Sequence, residues 1–189
     1  MWSLFGATPE QERDFLYRLD WRNRTPELVI VSRREPVDAH GIFELECRTY
    51  EPNLEVGDEL VFSLRANATK DKIRSGKPSL RVDIVMDRVR ELRQANPGAD
   101  VNRVEIAKEA GRIWLSEKGK RCGFVVQPDH VVVDSYRAEP IGRNKSTLAQ
   151  IDFRGRLSVT DPAAFNQALV SGIGRAKAFG CGLMLVRRG

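Results

Sequence analysis

The sequence predicts an α+β fold in which short strands alternate with amphipathic helices. Apolar residues recur at every second position at Leu60, Phe62 and Leu64, which is typical of a half-buried strand. A capping box over residues 102–105 (Asn-Arg-Val-Glu) predicts the start of a helix further along the chain. Helices interleaved with such strands favour a split β-α-β arrangement of the ferredoxin-like type, present twice.

The first half of the chain is predicted to begin with a helix and to continue with strands. Residues 8–11 (Thr-Pro-Glu-Gln) provide an N-cap, a proline at the first helical position and a capping-box glutamine. Phe15, Leu16 and Leu19 then follow at helical spacing. Strands are predicted at residues 28–32, at residues 43–47 and at residues 60–65.

A polar, glycine-containing stretch at residues 71–77 predicts an exposed loop. We place a domain boundary there. This gives an N-terminal ferredoxin-like domain at residues 1–76 and a C-terminal ferredoxin-like domain, which contains a glycine-rich loop, at residues 77–189.

The second half of the chain has more regular patterns. The helix that begins at the capping box is expected to continue through Trp114, with Ile106, Ala110 and Ile113 on the same face. A second helix is expected to begin at Asp161 and Pro162. Strands are predicted at residues 122–126, 131–136, 153–159 and 183–186.

Composition excludes several classes of protein. Of the 189 residues, 41% are hydrophobic and 30% are charged, so the chain is too apolar to be disordered. No run approaches the roughly eighteen apolar residues of a membrane helix, and residues 1–20 lack a signal-peptide pattern, so we expect a cytoplasmic protein. Three scattered cysteines, Cys47, Cys122 and Cys181, predict neither a disulfide framework nor a zinc site.

The net charge of +5 is concentrated in two regions. Residues 65–93 contain nine basic and four acidic side chains, and residues 171–189 contain four basic side chains and no acidic one. Clusters of this kind are typical of a surface that binds a polyanion. The alternative is a Lys/Arg-rich loop that only keeps the protein soluble, and charge alone does not decide between them.

The most specific motif is a glycine-rich segment at residues 172–182, in which four glycines bracket Arg175 and Lys177. Glycine lets backbone N–H groups approach a ligand and the two cations supply charge, so the segment suits phosphate. The glycines end a helix and enter a strand, which excludes a dinucleotide fingerprint, and no Walker lysine follows them. The alternative is a tight connection between a helix and a strand.

A second, weaker motif lies at the end of the predicted strand 60–65, where Arg65, Asn67 and Lys70 offer bidentate, amide and point-charge contacts. An Arg and an Asn at a strand end also serve turns. His40 and His130 have no triad-like companions, so neither is predicted to be catalytic. The acidic residues show no metal-ligand spacing, and no cofactor is predicted.

Four segments of the chain resemble the CasE family of CRISPR repeat-processing endoribonucleases, which belong to type I-E Cascade. The resemblance rests on residues 2–5, 13–18, 62–67 and 172–182 and runs over nearly the whole chain in the same order. It implies tandem ferredoxin-like (RRM-like) domains, of which the first is incomplete here. It also implies that the protein binds the CRISPR repeat RNA stem-loop (crRNA) and remains with other type I-E Cascade subunits, without a membrane or a small-molecule cofactor.

The resemblance implies metal-independent cleavage, in which the ribose 2′-OH attacks the adjacent phosphate and leaves a cyclic phosphate. The family's catalytic histidine lies about one helical turn before the tryptophan matched by Trp2, which corresponds to a position before Met1, as does the family's first strand. We therefore assign no catalytic residue. The chain is expected either to start at an internal methionine of a longer reading frame or to have lost its cleaving residue.

The residues expected to contact RNA come from both motifs and from the basic stretch between them. They are Arg65, Asn67, Lys70, Lys77, Gly172, Gly174, Arg175, Lys177, Gly180 and Gly182. Two alternatives remain. One is a non-cleaving subunit that binds crRNA and assists assembly, and the other is a small metabolic enzyme that holds a nucleotide phosphate in the glycine-rich segment.

Overall fold

A computed structural model describes residues 2–6, 12–98, 100–141 and 146–189. Its strands and helices are β1 (Phe15–Arg22), β2 (Thr25–Ser32), β3 (Glu59–Asn67), β4 (Thr69–Arg74), β5 (Lys77–Asp83), α1 (Ile84–Ala95), α2 (Arg103–Arg121), β6 (Phe124–Val126), β7 (Val132–Ile141), β8 (Ser146–Val159), α3 (Pro162–Ser171) and β9 (Met184–Arg188). Short 3-10 helices cover Trp2–Leu4, Pro128–His130 and Lys177–Phe179. None of the described helices is long and apolar enough to cross a membrane.

The main sheet is antiparallel and has the strand order β6-β8-β3-β9, with β7 also paired to β8. Along the chain, the hairpin β4–β5 and the helices α1 and α2 lie between β3 and β6, and α3 lies between β8 and β9. Two interleaved β-α-β units therefore share one sheet, which is the ferredoxin-like arrangement. The predicted fold class is confirmed.

The hydrophobic core explains why β3 lies at the centre of this sheet. Every second residue of β3, namely Leu60, Phe62, Leu64 and Ala66, is buried. This alternation places one face of the strand against the two helices. Trp114 of α2 stacks on Phe153 of β8 with 6.0 Å between ring centroids, which fills the space between helix and sheet.

The predicted division at residues 76 and 77 falls in the turn between β4 and β5. β3 precedes that division in sequence but pairs with β8 and β9, which follow it. The main sheet thus contains strands from both sides of the division, and the division itself stays a prediction.

The prediction of a first helix is wrong where the structure describes it. Residues 15–22 form β1, which pairs with β2 in a hairpin whose turn residues, Asn23 and Arg24, have φ angles of 50° and 69°. Two consecutive positive φ values match the right-handed twist of paired strands. The apolar side chains at positions 15, 17, 19 and 21 fit a strand period as well as positions 15, 16 and 19 fit a helix. The proposed cap at residues 8–11 lies outside the described residues.

Three further predictions are wrong, and one helix was missed. Residues 43–47 form no strand, since no neighbouring strand pairs with them. Residues 71–77 are not a loop but belong to the exposed hairpin β4–β5. Helix α1 was not predicted, although Asp83 caps it by accepting a hydrogen bond from the Val85 N–H at 2.8 Å. Ile113 is 56% exposed rather than part of the core.

The two helix starts predicted in the second half of the chain are confirmed. Asn102 caps α2 by accepting from the Val104 N–H at 3.0 Å, and Asp161 caps α3 by accepting from the Ala164 N–H at 3.0 Å. A side-chain oxygen at each N-cap satisfies N–H groups that the first helical turn leaves unpaired. These local contacts fix where the two sheet-covering helices begin.

Candidate nucleic-acid interface

The glycine-rich segment, residues 172–182, connects α3 to β9 along a path that requires glycine at two positions. Gly172 has φ +82°, and a Cβ atom there would lie 2.9 Å from Leu16 Cδ2 on β1. Gly182 has φ +95°, and a Cβ atom there would lie 3.0 Å from the Ile173 carbonyl oxygen. Other residues are strained at such φ values and would be crowded as well. The segment is therefore packed closely against β1 and against itself.

The other two predicted glycines lie against aromatic side chains. A Cβ atom on Gly174 would lie 3.3 Å from the Trp114 ring of α2, and one on Gly180 would lie 3.4 Å from Tyr17 Cε2 of β1. The Tyr17 hydroxyl also donates a hydrogen bond to the Ala178 carbonyl at 2.8 Å. Contacts with α2 and β1 thus fix the position of the segment.

The structure brings the two predicted RNA-binding motifs together. The Gly182 N–H donates to the carbonyl oxygen of Arg65 at 2.7 Å. Asn67 and Arg175 form an isolated antiparallel bridge. The end of β3 and the glycine-rich segment are therefore neighbours, although more than a hundred residues separate them in sequence.

The side chains of Arg65 and Asn67 make contacts within the protein. The Arg65 guanidinium donates to Asp152 Oδ1 at 2.7 Å and to the Leu19 carbonyl at 2.8 Å. Asn67 Oδ1 accepts from the Ala149 N–H at 3.1 Å. These bonds hold β3 to β8 and to the end of β1, so both residues position the glycine-rich segment. Direct contact between either side chain and RNA stays a prediction.

Lys70 lies on β4 beside the buried carboxylate of Asp87. Asp87 is only 2% exposed, and its two oxygens lie 2.9 Å from Lys70 Nζ and 2.8 Å from Lys72 Nζ. Burial raises the pKa of Asp87, but the hydrogen bonds and charges of the two lysines lower it more, so the net pKa is below its ordinary value. The double ion pair fastens the hairpin β4–β5 to α1.

Lys77 begins β5 on the exposed side of this hairpin and faces Arg74 across the turn. Arg74 donates to the Pro78 carbonyl at 2.9 Å, and Arg81 pairs with Asp71 at 3.0 Å. The hairpin therefore presents a row of cations to solvent directly after the end of β3.

Arg175 and Lys177 are the cations of the glycine-rich segment. Arg175 is exposed, and within the described part of the chain neither residue forms an ion pair. Lys177 is half-buried, and its pKa is lowered first by burial and then by the charge of Arg13. An anion from outside the protein would favour the charged form of Lys177.

The sequence analysis assigned no role to Arg13. This residue precedes β1, and its charge lowers the pKa of Lys177. Its only sequence signal was its place in the segment 13–18 that supported the resemblance. Position in a motif did not show which charged group it would face, because Lys177 is far away in sequence.

Both histidines lie at the surface. His40 is exposed in a turn, and His130 is exposed at the end of the 3-10 helix Pro128–His130. Across residues 2–6, 12–98, 100–141 and 146–189, no three His, Cys, Asp or Glu side chains are grouped so that they could hold a metal ion.

Comparisons with known proteins give one consistent picture. A family model described as "CRISPR associated protein" matches residues 1–188. The chain is 32% identical to the CRISPR system Cascade subunit CasE of Escherichia coli (strain K12), over 97% of this chain and 86% of that protein. It is 31% identical to the CRISPR-associated endoribonuclease Cse3 of Thermus thermophilus, over 95% of this chain and 82% of that protein.

The fold also resembles a solved complex with RNA. The structure of Thermus thermophilus Cse3 bound to an RNA that represents a pre-cleavage complex has a TM-score of 0.65 and 25% sequence identity to this chain. The match covers 92% of this chain and 78% of that one. The tandem ferredoxin-like class is the one these relatives share.

Proposed function

The chain belongs to the family of CRISPR-associated proteins that includes CasE and Cse3, and we propose that it binds the stem-loop of CRISPR repeat RNA and processes it as an endoribonuclease. One observation carries this proposal: the glycine-rich segment, with Arg175 and Lys177, contacts the end of β3, from which the basic hairpin β4–β5 continues. We also propose that the protein stays with the processed RNA in the cytoplasm as a Cascade subunit, since its relative CasE of E. coli is a subunit of Cascade.

The surface suits a folded RNA because its cations are spread over two structural elements. A-form RNA is recognised mainly by its shape and by contacts to phosphates and 2′-hydroxyls. Lys70 and Lys77 lie on the hairpin, and Arg175 and Lys177 lie on the glycine-rich segment. We propose that these four side chains bind phosphates, while Arg65 and Asn67 hold the two elements in register through their internal bonds.

The reaction that the family resemblance implies uses the RNA itself as nucleophile. The ribose 2′-oxygen bonds to the adjacent phosphorus while the bond to the 5′-oxygen breaks, which leaves a 2′,3′-cyclic phosphate and a free 5′-hydroxyl. A base accepts the proton of the 2′-hydroxyl, and the leaving oxygen gains a proton. The cations of the glycine-rich segment would stabilise the charge that develops on the phosphate. We assign the base and the acid to no described residue.

The test combines cleavage and binding on the same RNA. An end-labelled repeat hairpin is incubated with the protein in EDTA and analysed on a denaturing gel, and its affinity is measured in parallel by fluorescence anisotropy. We expect one cut at the base of the stem and retention of the product. Intact RNA that remains tightly bound would overturn the processing part of the proposal and keep the binding part.

A hairpin whose stem cannot pair serves as the matched control RNA. Equal affinity for both RNAs would contradict recognition of the stem-loop. A mononucleotide is the second control: if it protects residues 172–182 from proteolysis and the hairpin does not, the segment is a nucleotide site and the proposal fails.

A further inference from the structure

Arg13 has a guanidinium for which the described residues provide no hydrogen-bond partner at Nη1. Its Nη1 atom is buried, and within the described residues no acceptor lies in hydrogen-bonding reach of that atom. Burial lowers the pKa of Arg13. A charged group removed from water without an acceptor costs free energy, and proteins normally provide a carboxylate or carbonyl for it. Arg65 shows the usual solution, since its guanidinium is bonded to Asp152 and to a carbonyl.

A second cation, Lys177, lies on the segment that contacts β1, since the Tyr17 hydroxyl donates to the carbonyl of Ala178, the residue after Lys177. The charge of Arg13 adds to the effect of burial in lowering the pKa of Lys177. Two groups that can carry a negative charge raise these pKa values: the Tyr17 hydroxyl raises that of Arg13, and the Cys122 thiol raises that of Lys177. Burial raises the pKa of both the Tyr17 hydroxyl and the Cys122 thiol, so both are neutral near pH 7. Among the described residues, neither of these two positive charges is paired with a carboxylate.

We propose that Arg13 and Lys177 together bind one phosphate group of the RNA backbone, next to the glycine-rich segment. This inference rests on the proposed function and names a binding residue for it. The planar guanidinium can donate two parallel hydrogen bonds to phosphate oxygens, and the ammonium adds a point charge. The bond from Tyr17 to the Ala178 carbonyl keeps β1 beside the 3-10 helix Lys177–Phe179, which fixes the spacing of the two cations.

Arg13 is not expected to be needed for folding. An arginine that supports a fold has bonds to lose, as Arg34 has with Asp14 at 2.7 Å. Arg13 has none in the described part of the chain, and it also repels Lys177. Its replacement should therefore leave the melting temperature unchanged or raise it.

The experiment measures hairpin affinity by fluorescence anisotropy over a range of salt concentrations. The variants are Arg13→Gln, Lys177→Gln and the double variant, with Lys108→Gln as a control that removes one exposed positive charge from α2. Each single variant should weaken binding about 10-fold and reduce the salt slope by about one, since each loses a charge-assisted bond to a phosphate. The double variant should bind little more weakly than either single variant, because both residues hold the same group.

Three outcomes would overturn the inference. Arg13→Gln could bind with the affinity and salt slope of the Lys108→Gln control, the losses in the double variant could multiply, or Arg13→Gln could lower the melting temperature by several degrees. Arg13→Lys, which keeps the charge, should recover part of the affinity. If the unaltered protein does not bind the hairpin at all, the proposed function fails as well, whereas the three outcomes above leave it intact.

A chemically altered RNA identifies the group that is bound. Single phosphates of the hairpin are replaced in turn by neutral methylphosphonates. At one position the unaltered protein and Arg13→Gln should bind equally well, because the contact is already lost. If the unaltered protein binds more tightly than Arg13→Gln whichever phosphate is replaced, the two residues do not share a single phosphate.

Discussion

Gly182→Ala is expected to destabilise the protein and to weaken its binding of RNA. Gly182 has φ +95°, and its Cβ atom would lie 3.0 Å from the Ile173 carbonyl oxygen, which is backbone and cannot rotate away. The same residue donates its N–H to Arg65 and accepts from the Ile173 N–H at 2.8 Å, so any shift disturbs both bonds. The change thus acts at the point where the glycine-rich segment joins β3.

Gly57 provides a matched control for the backbone strain. It has φ +92°, but a Cβ atom there would meet nothing within 4 Å. An alanine at such an angle costs about 1–2 kcal/mol, which applies to both variants. Crowding against packed atoms adds about 1–3 kcal/mol, which applies to Gly182→Ala alone. Gly182→Ala should therefore be the less stable of the two by about 1–3 kcal/mol.

Urea unfolding followed by circular dichroism measures the two stabilities, and hairpin anisotropy measures the function. Gly57→Ala should bind RNA as the unaltered protein does. Gly182→Ala should bind about tenfold more weakly under conditions in which it is fully folded, which corresponds to about 1.4 kcal/mol. Equal stability of the two alanine variants, together with normal binding by Gly182→Ala, would refute the steric argument.

Two further predictions concern the contacts beneath the site. Trp114→Phe removes the bond from the indole N–H to the Thr69 carbonyl at 3.1 Å, and the loss of this hydrogen bond should cost about 0.5–1.5 kcal/mol in urea unfolding. An unchanged midpoint would contradict this. Asp87 has a lowered pKa in the folded state, so its contribution to stability is present above its ordinary pKa and is lost as the pH falls through the lowered one. Asp87→Asn should therefore lower the stability at neutral pH and remove this part of its dependence on pH. Melting temperatures measured from neutral to acidic pH test this. If the melting temperatures of Asp87→Asn and of the unaltered protein fall in parallel with pH, the prediction is contradicted.

Local signals allowed parts of the fold to be predicted. The caps at Asn102 and Asp161 are contacts between residues two or three positions apart, so the sequence displays both partners together. The alternation along β3 likewise reports burial on one face. The first helix was wrong because residues 15–22 satisfy a strand period and a helix period at once, and the turn at Asn23 and Arg24 decides between them.

Contacts between distant segments explain what the sequence could not reveal about the site. No signal in the sequence indicated that Arg65 and Lys70 also contact Asp152 and Asp87, because these carboxylates lie 87 and 17 positions away. The pairing of Arg13 with Lys177 depends on a fold that sets β1 beside the glycine-rich segment. Charge is visible in a sequence, whereas the partner of each charge appears only once the chain is folded.

The pairing of β3 with β9 also has a consequence for the order of events during synthesis. β3 is complete at residue 67, but the strand that closes its other edge and anchors the glycine-rich segment begins at Met184. Pairings between residues so far apart form slowly, because a long loop must close before they contribute stability. Until β9 pairs with β3, the C-terminal end of the glycine-rich segment has no strand to anchor it, and its contacts with β1 and α2 alone hold it. The two parts of the proposed RNA-binding surface, the hairpin β4–β5 and the glycine-rich segment, are therefore expected to be completed at different times during synthesis.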